Sequence, residues 1–297
     1  MERSLLINPA SSWQKTSGLI VLPYIAARQL ELGSNRPSSR PMSMPSLLVE
    51  EPNIPAHELL PVARDLKANR LLAALPPHVW HRWLAELEPI ELRLGEVLYE
   101  SGDQISSVFF PTTAIVSLLY VLEDGGSAEI AVVGNEGIVG IALFMGGKST
   151  LNRAVAQSAG AGFRMKAAPL LKEFEHPPVM HLMLRYTQAL VTQMSQTAVC
   201  NRHHSLDKQL CRWLLLSSDR LSGNELLMTQ ELIANMLGVR REGVTECALK
   251  LQRAGLISYS RGHIRILDRK GLEARSCECY EVVRREYDRL LPKRTSI

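Results

Sequence analysis

The sequence predicts an α+β fold: an N-terminal antiparallel β-roll or jelly roll, a long dimerisation helix, and a C-terminal winged helix-turn-helix. Three observations predict it. Short β-branched and apolar runs separated by turn signals fill the stretch from about residue 90 to residue 166, and a sustained helical pattern then runs from about Val179 to Arg202. Beyond it, "TQELIANMLGVRREGVTECALKLQRAGLI", from Thr229 to Ile257, sets Gly238 between two short stripes of helical period. A chain of 297 residues with 46% apolar and 22% charged side chains can bury the cores of about two domains.

Residues 1–67 hold many of the prolines and serines ("SNRPSSRPMSMPS") and keep neither a 3.6 nor a 2 period, so they are expected to be a disordered extension. Met42 and Met44 stand just before more regular sequence, and either is read as an alternative translation start. The roll is expected over 68–176. It opens with "LKANRLLAALPPHVWHRWLAEL", two short helices broken at Pro76 and Pro77. Strands follow, with turns at Gly95, "SGD", "EDGG", "VGNEG" and Gly140, and "GGKSTLNRAVAQSAGAGFRM" adds two more. Between Glu86 and Glu136 the only base is Arg93, so this unit is not expected to hold DNA.

The helix is expected over 177–204. Met183, Thr187, Leu190, Met194 and Thr197 recur at alternating spacings of four and three, which is the seam of a short coiled coil and implies a homodimer. The same pattern also fits a core helix packed on the roll, because Leu182, Leu184 and Val191 are apolar off the seam. A second helix, "SLDKQLCRWLLLSSDRL", starts after Ser205, a plausible N-cap, and leads into the last unit, 205–297.

In that unit Leu232, Ile233, Met236 and Leu237 make one apolar stripe, Gly238 supplies the positive φ of a sharp turn, and Val244, Cys247, Ala248 and Leu251 make the next. The second helix is thereby left with Arg240, Arg241, Glu242, Thr245 and Glu246 pointing outward at its start, the residue types that read base edges in a major groove. Lys250 lies further along the same helix, and "LISYSRGHIRILD" folds back at Arg261 and Gly262 as a two-stranded wing carrying His263 and Arg265. Lys250, Arg261, His263 and Arg265 are assigned to backbone phosphates. Charge agrees with this placement: residues from Ser205 onward carry 17 Lys and Arg against 12 Asp and Glu, whereas residues 1–204 carry 17 against 18. Gly243, inside the second helix, costs about 1 kcal/mol of helix propensity and would allow close approach to a phosphate backbone.

The order of these units resembles the Crp/Fnr superfamily of bacterial transcriptional regulators, from about Asn69 to Leu291, with "LGEVLYESGD", "AEIAVVGNEGIVG", "SLDKQLCRWLL", "TQELIANMLGVRREGVT" and "CECY" its nearest points. The resemblance implies a cyclic-nucleotide-binding-like roll, double-stranded DNA and a second copy of the chain as partners, and RNA polymerase as a further one. It puts Arg241 and Glu242 on the base-reading pair and Thr229 on a phosphate contact at the start of the first helix. Glu246 departs from it, standing where the best-studied members carry an arginine. So does the ligand pocket: a ribose-binding glutamate would follow Gly140, where this chain has Ile141, and the nearest candidate for a phosphate-binding arginine is Arg153, after a longer loop. The expected regulator therefore works without cyclic AMP and without a cofactor.

Other classes find less support. No apolar run reaches the roughly 18–20 residues of a membrane span. Five cysteines, Cys200, Cys211, Cys247, Cys277 and Cys279, are an odd number at irregular spacing, which suits reduced thiols and a cytoplasmic protein. Cys277 and Cys279 are read as structural thiols; His203 and His204 diverge, His78 and His81 lack a ligand partner, and no metal site is expected. "GGKST" lacks the spacing of a phosphate loop, and no catalytic constellation points to an enzyme. The alternative kept beside the DNA-binding reading is a thiol- or small-ligand-responsive sensor acting through protein–protein contacts.

Overall fold

The computed structural model of the protein describes residues 66–291 apart from Asp124, Ser222 and Asn224. The extension, the Met42 and Met44 reading, and the chain beyond Leu291 fall outside the described residues, except that Leu66–Ala68 form a 3-10 turn.

Two short helices, α1 (Arg70–Ala73) and α2 (Pro77–Leu84), lead in. Asn69 caps α1, its side-chain oxygen accepting from the backbone N–H groups of Leu71 and Leu72. Its amide nitrogen donates to Pro111 and Gly137 carbonyls at 2.9 and 2.8 Å, fastening the helix to the roll. Pro77 takes the first position of α2, where a missing N–H costs nothing.

The roll is built from β1 (Glu88–Leu92), β2 (Val97–Tyr99), β3 (Ser107–Pro111), β4 (Ile115–Val121), β5 (Ser127–Val133), β6 (Arg153–Ser158) and β7 (Gly160–Lys166). They form two antiparallel sheets, β1-β7-β3 and β2-β6-β4-β5. Val108, Phe110, Ile115, Val116, Val133 and Val139 are wholly buried between them. Gly160 and Gly162 are required where β7 lies against the end of β3 and the chain that follows it: a Cβ on either would come within 3 Å of backbone.

After α3 (Ala167–Phe174) comes α4 (Pro177–His203), then α5 (Leu206–Ser218). Ser205 is the N-cap of α5 as expected, although its side chain makes no capping hydrogen bond. The coiled-coil seam is corrected by the packing. Met183, Thr187, Leu190 and Thr197 are buried inside the subunit and Met194 is half-buried, because β5 and the last helix, α9 (Glu278–Leu290), cover that face of α4. Gln193 donates to the Val132 carbonyl of β5 at 2.9 Å, and Tyr186 meets Tyr287 of α9 edge to face. The face of α4 left open is offset from the expected seam and carries Leu184, Val191 and Val199, each 46–49% exposed.

The C-terminal unit holds β8 (Glu225–Leu227), α6 (Gln230–Leu237), α7 (Arg241–Arg253), β9 (Ile257–Ser260), β10 (His263–Ile266) and α8 (Arg269–Arg275) before α9. The wing has three strands, in the order β8-β10-β9, where two were expected. Glu225–Leu227 is too short to show a period of two in the sequence.

Candidate nucleic-acid interface

The turn between α6 and α7 follows from local chemistry. Thr229 caps α6, its hydroxyl oxygen accepting from the Leu232 N–H at 3.2 Å, worth about 1 kcal/mol. Gly238 ends the helix at φ 65° and ψ 38°, with its N–H and that of Val239 both returning to the Ala234 carbonyl. Val244, Ala248 and Leu251 are buried under α7, and Arg240, Arg241 and Glu242 are exposed at its N-terminal end. α6 also packs against β5, where Ser127 and Ala128 come up to Asn235 and Gly238, so the turn is braced from the roll side.

The outward face of α7 is not uniformly basic. Arg241 stays 64% exposed, with only a long 4.0 Å approach to Glu231. Lys250 is 2.9 Å from Glu246 and 3.9 Å from Asp207, so the phosphate contact assigned to it competes with two carboxylates. Thr245 is half-buried, and its hydroxyl lies 2.6 Å from Gln230 Oε1 and 3.0 Å from the Arg241 carbonyl, which ties it to the turn. Leu249, 46% exposed, shares the face of Glu242 and Glu246 at helical spacing and was missed in the sequence because leucine signals core. Gly243 faces inward: a Cβ there would meet Leu206 of α5 at 2.9 Å, so its reason is packing rather than approach to a phosphate.

At the wing tip Arg261 and Gly262 both take positive φ, 50° and 84°, the requirement of a tight two-residue hairpin whose twist matches its strands. Arg261 is exposed there. His263 and Arg265 instead point to Glu225 on the neighbouring strand, at 2.9 and 3.7 Å, and the histidine holds the Glu225 carboxyl below its ordinary range.

Comparison with known proteins accords with this architecture. A model of the cyclic nucleotide-binding domain matches residues 89–176, and one of the Crp-like helix-turn-helix domain matches residues 208–275. The chain belongs to the Crp/Fnr superfamily. Its family and fold are those of DNA-binding transcriptional regulators. Among solved structures it shares the fold of FixK2 from Bradyrhizobium japonicum (16% identity, TM-score 0.55, 64% of this chain and 98% of that one). Two regulators of Thermus thermophilus are similar: TTHB099 at 18% identity, TM-score 0.55, covering 63% and 96% of the two chains, and TTHA1359 at 22%, 0.52, 65% and 98%. No curated protein sequence matches.

At the positions set against the cyclic-nucleotide pattern the roll carries Ile141 and Arg153. Gly140 takes φ 102° and starts a 3-10 turn, Ile141–Leu143, and the Ile141 side chain, being a hydrocarbon, offers no acceptor for a ribose hydroxyl. Arg153, at the start of β6, is engaged by Glu100 at 3.0 Å. Among the described residues no helix is long and apolar enough to cross a membrane.

The cysteines read as structural thiols do not all lie apart. Cys277 and Cys279 are buried beside Cys200 and His204, while Cys247 lies apart under α7. Cys277 is pulled down to about 5, first by the hydrogen bond with the Cys200 thiol, and burial pushes Cys279 up to about 11. A signal was present: Cys200 and His204 stand one helical turn apart.

Proposed function

We propose that the protein is a sequence-specific transcriptional regulator that binds a pseudo-palindromic DNA site as a homodimer and does so without cyclic AMP. The observation that carries this reading is the N-terminal end of α7, where the Gly238 turn leaves Arg240, Arg241 and Glu242 exposed while the opposite face fills the core. Arg241 pairs bidentately with a guanine edge and Glu242 accepts from a cytosine amino group. Thr229 and Arg261 hold backbone phosphates on either side, the first from a helix N-terminus and the second from the wing. His263 and Arg265 contribute less than their charge, since Glu225 shares them.

The dimer forms through the open face of α4. Leu184, Val191 and Val199 line one side of that helix, and near its start a groove of about 630 Å³ runs between Ala74, Pro76, His181, Leu184, Arg185 and Gln188. A second copy laid along this face buries the apolar stripe and sets two α7 helices facing half-sites about one helical turn apart. The test is selection of bound fragments from random DNA, followed by titration with salt. A palindromic motif and a steep loss of affinity with salt are expected. Arg241→Ala costs roughly 1–3 kcal/mol and relaxes one position of the motif. Salt-independent binding, or an unchanged motif in Arg241→Ala, overturns the reading; added cyclic AMP leaves the affinity unchanged.

A further inference from the structure

We propose that Cys200, His204, Cys277 and Cys279 form a tetrahedral site for a thiophilic divalent cation, zinc by its donor set, which staples the end of α4 to the start of α9. The four ligand atoms all lie within 4.8 Å of one another. Cys200 Sγ is 3.5 Å from Cys277 Sγ, and Cys279 Sγ is 3.6 Å from His204 Nδ1. A tetrahedron with zinc–sulfur bonds of about 2.3 Å and a zinc–nitrogen bond of about 2.0–2.1 Å has edges of about 3.5–3.8 Å. Two of its edges are therefore matched by the packing of these side chains. Three sulfurs and one imidazole suit zinc and disfavour magnesium or calcium, which take oxygen.

Each donor is held by a local reason. Cys200 and His204 are four residues apart, and His204 is the C-cap of α4. Gln209 donates to the His204 carbonyl at 2.8 Å and fixes that end of the helix. Cys277 is the N-cap of α9 and Cys279 lies in its first turn. The other imidazole nitrogen, Nε2, is 3.4 Å from Glu278 Oε1, the arrangement by which a carboxylate orients a ligating histidine.

Charge fits as well. Three thiolates and a dication leave one negative charge. Arg212, 3% exposed, has its Nη1 on Thr197 Oγ1 at 3.2 Å and its Nε unpartnered, and its charge acts on Glu129 as well. A Cys200–Cys277 disulfide would use two of the four donors and leave Cys279 and His204 outside the link. Since α4 precedes the helix-turn-helix and α9 follows it, the cation closes the base of the whole DNA-binding unit.

The test uses the full chain, without an affinity tag, purified under reducing conditions. Elemental analysis is expected to give about one zinc per chain. Replacement by cobalt(II) gives thiolate-to-metal charge-transfer bands and the intense d–d bands of a tetrahedral site. Cys277→Ser with Cys279→Ser abolishes those bands, and Glu278→Gln, which removes no ligand, lowers cobalt affinity by about 10–100-fold. A weak octahedral spectrum in the unaltered protein overturns the proposal without any variant needing to fold. So does metal retained equally by the double variant, or a Cys200–Cys277 disulfide forming with no metal held by the reduced chain. None of these readouts involves DNA, so their failure leaves the reading of α7 to its own experiment.

Discussion

The Arg220 guanidinium lies 2.7 Å from the Glu136 carboxylate in the interior, with the two side chains 5% and 6% exposed, and joins the loop after β5 to the chain leaving α5. Arg220 also donates to the Leu216 carbonyl and to Gln193 Oε1 and stands 5.7 Å from the Tyr287 ring, so the roll, α4, α5 and α9 share one charge. Gly134 is needed beside it, since a Cβ would come within 2.7 Å of the arginine.

Breaking that pair leaves a buried charge without a partner. Glu136→Ala or Arg220→Ala should each lower stability by about 3–5 kcal/mol, read from chemical denaturation midpoints. Glu136→Leu combined with Arg220→Met should cost less than either single change, because both desolvation penalties disappear together.

Glu129 gives a pH signature. It is buried between Ser117 and the Trp213 indole N–H at 3.0 Å, and desolvation pushes its carboxyl up to about 7. The folded state therefore holds a proton that the unfolded state has released, and the contribution of this group to stability falls as pH rises from about 4.5 to about 7 and is constant above. The loss is on the order of 2–4 kcal/mol. Denaturation midpoints of the unaltered chain and Glu129→Gln, compared at both ends of this window, should differ in slope by this amount, the unaltered chain losing more stability as pH rises.

The open stripe on α4 predicts assembly. Leu184→Glu together with Val191→Glu, both on exposed positions, should leave the fold intact by circular dichroism and yield monomers in sedimentation velocity. DNA affinity for a palindrome should then fall toward that of a single half-site.

Glu225 is expected to restrain the wing. Glu225→Gln frees His263 and Arg265, and binding to random duplex should tighten, with a salt slope steeper by about one. A slope unchanged within error would mean that neither cation reaches a phosphate.

Much of this fold was legible because its signals are local. Gly238, the alternating wing and the Pro77 start each depend on neighbours in the chain. The seam was not legible, since Met183 and Leu190 look alike to a partner copy, to β5 and to α9. Only the return of α9 along α4 decides among them, and that helix was not foreseen. Within the interface, the exposure of Arg241 could be read from helical period alone, whereas the Glu225 contacts to His263 and Arg265 required the unforeseen third strand. The thiol cluster joins residues 77 positions apart, a closure that no spacing rule contains.

All five cysteines are buried, none more than 6% exposed. The folded surface is thus free of native thiols among the described residues, and a single cysteine introduced for Arg261 would take a maleimide dye selectively at the wing tip. Such a reporter would follow the approach of a duplex by quenching, and slow labelling elsewhere would time the opening of the interior.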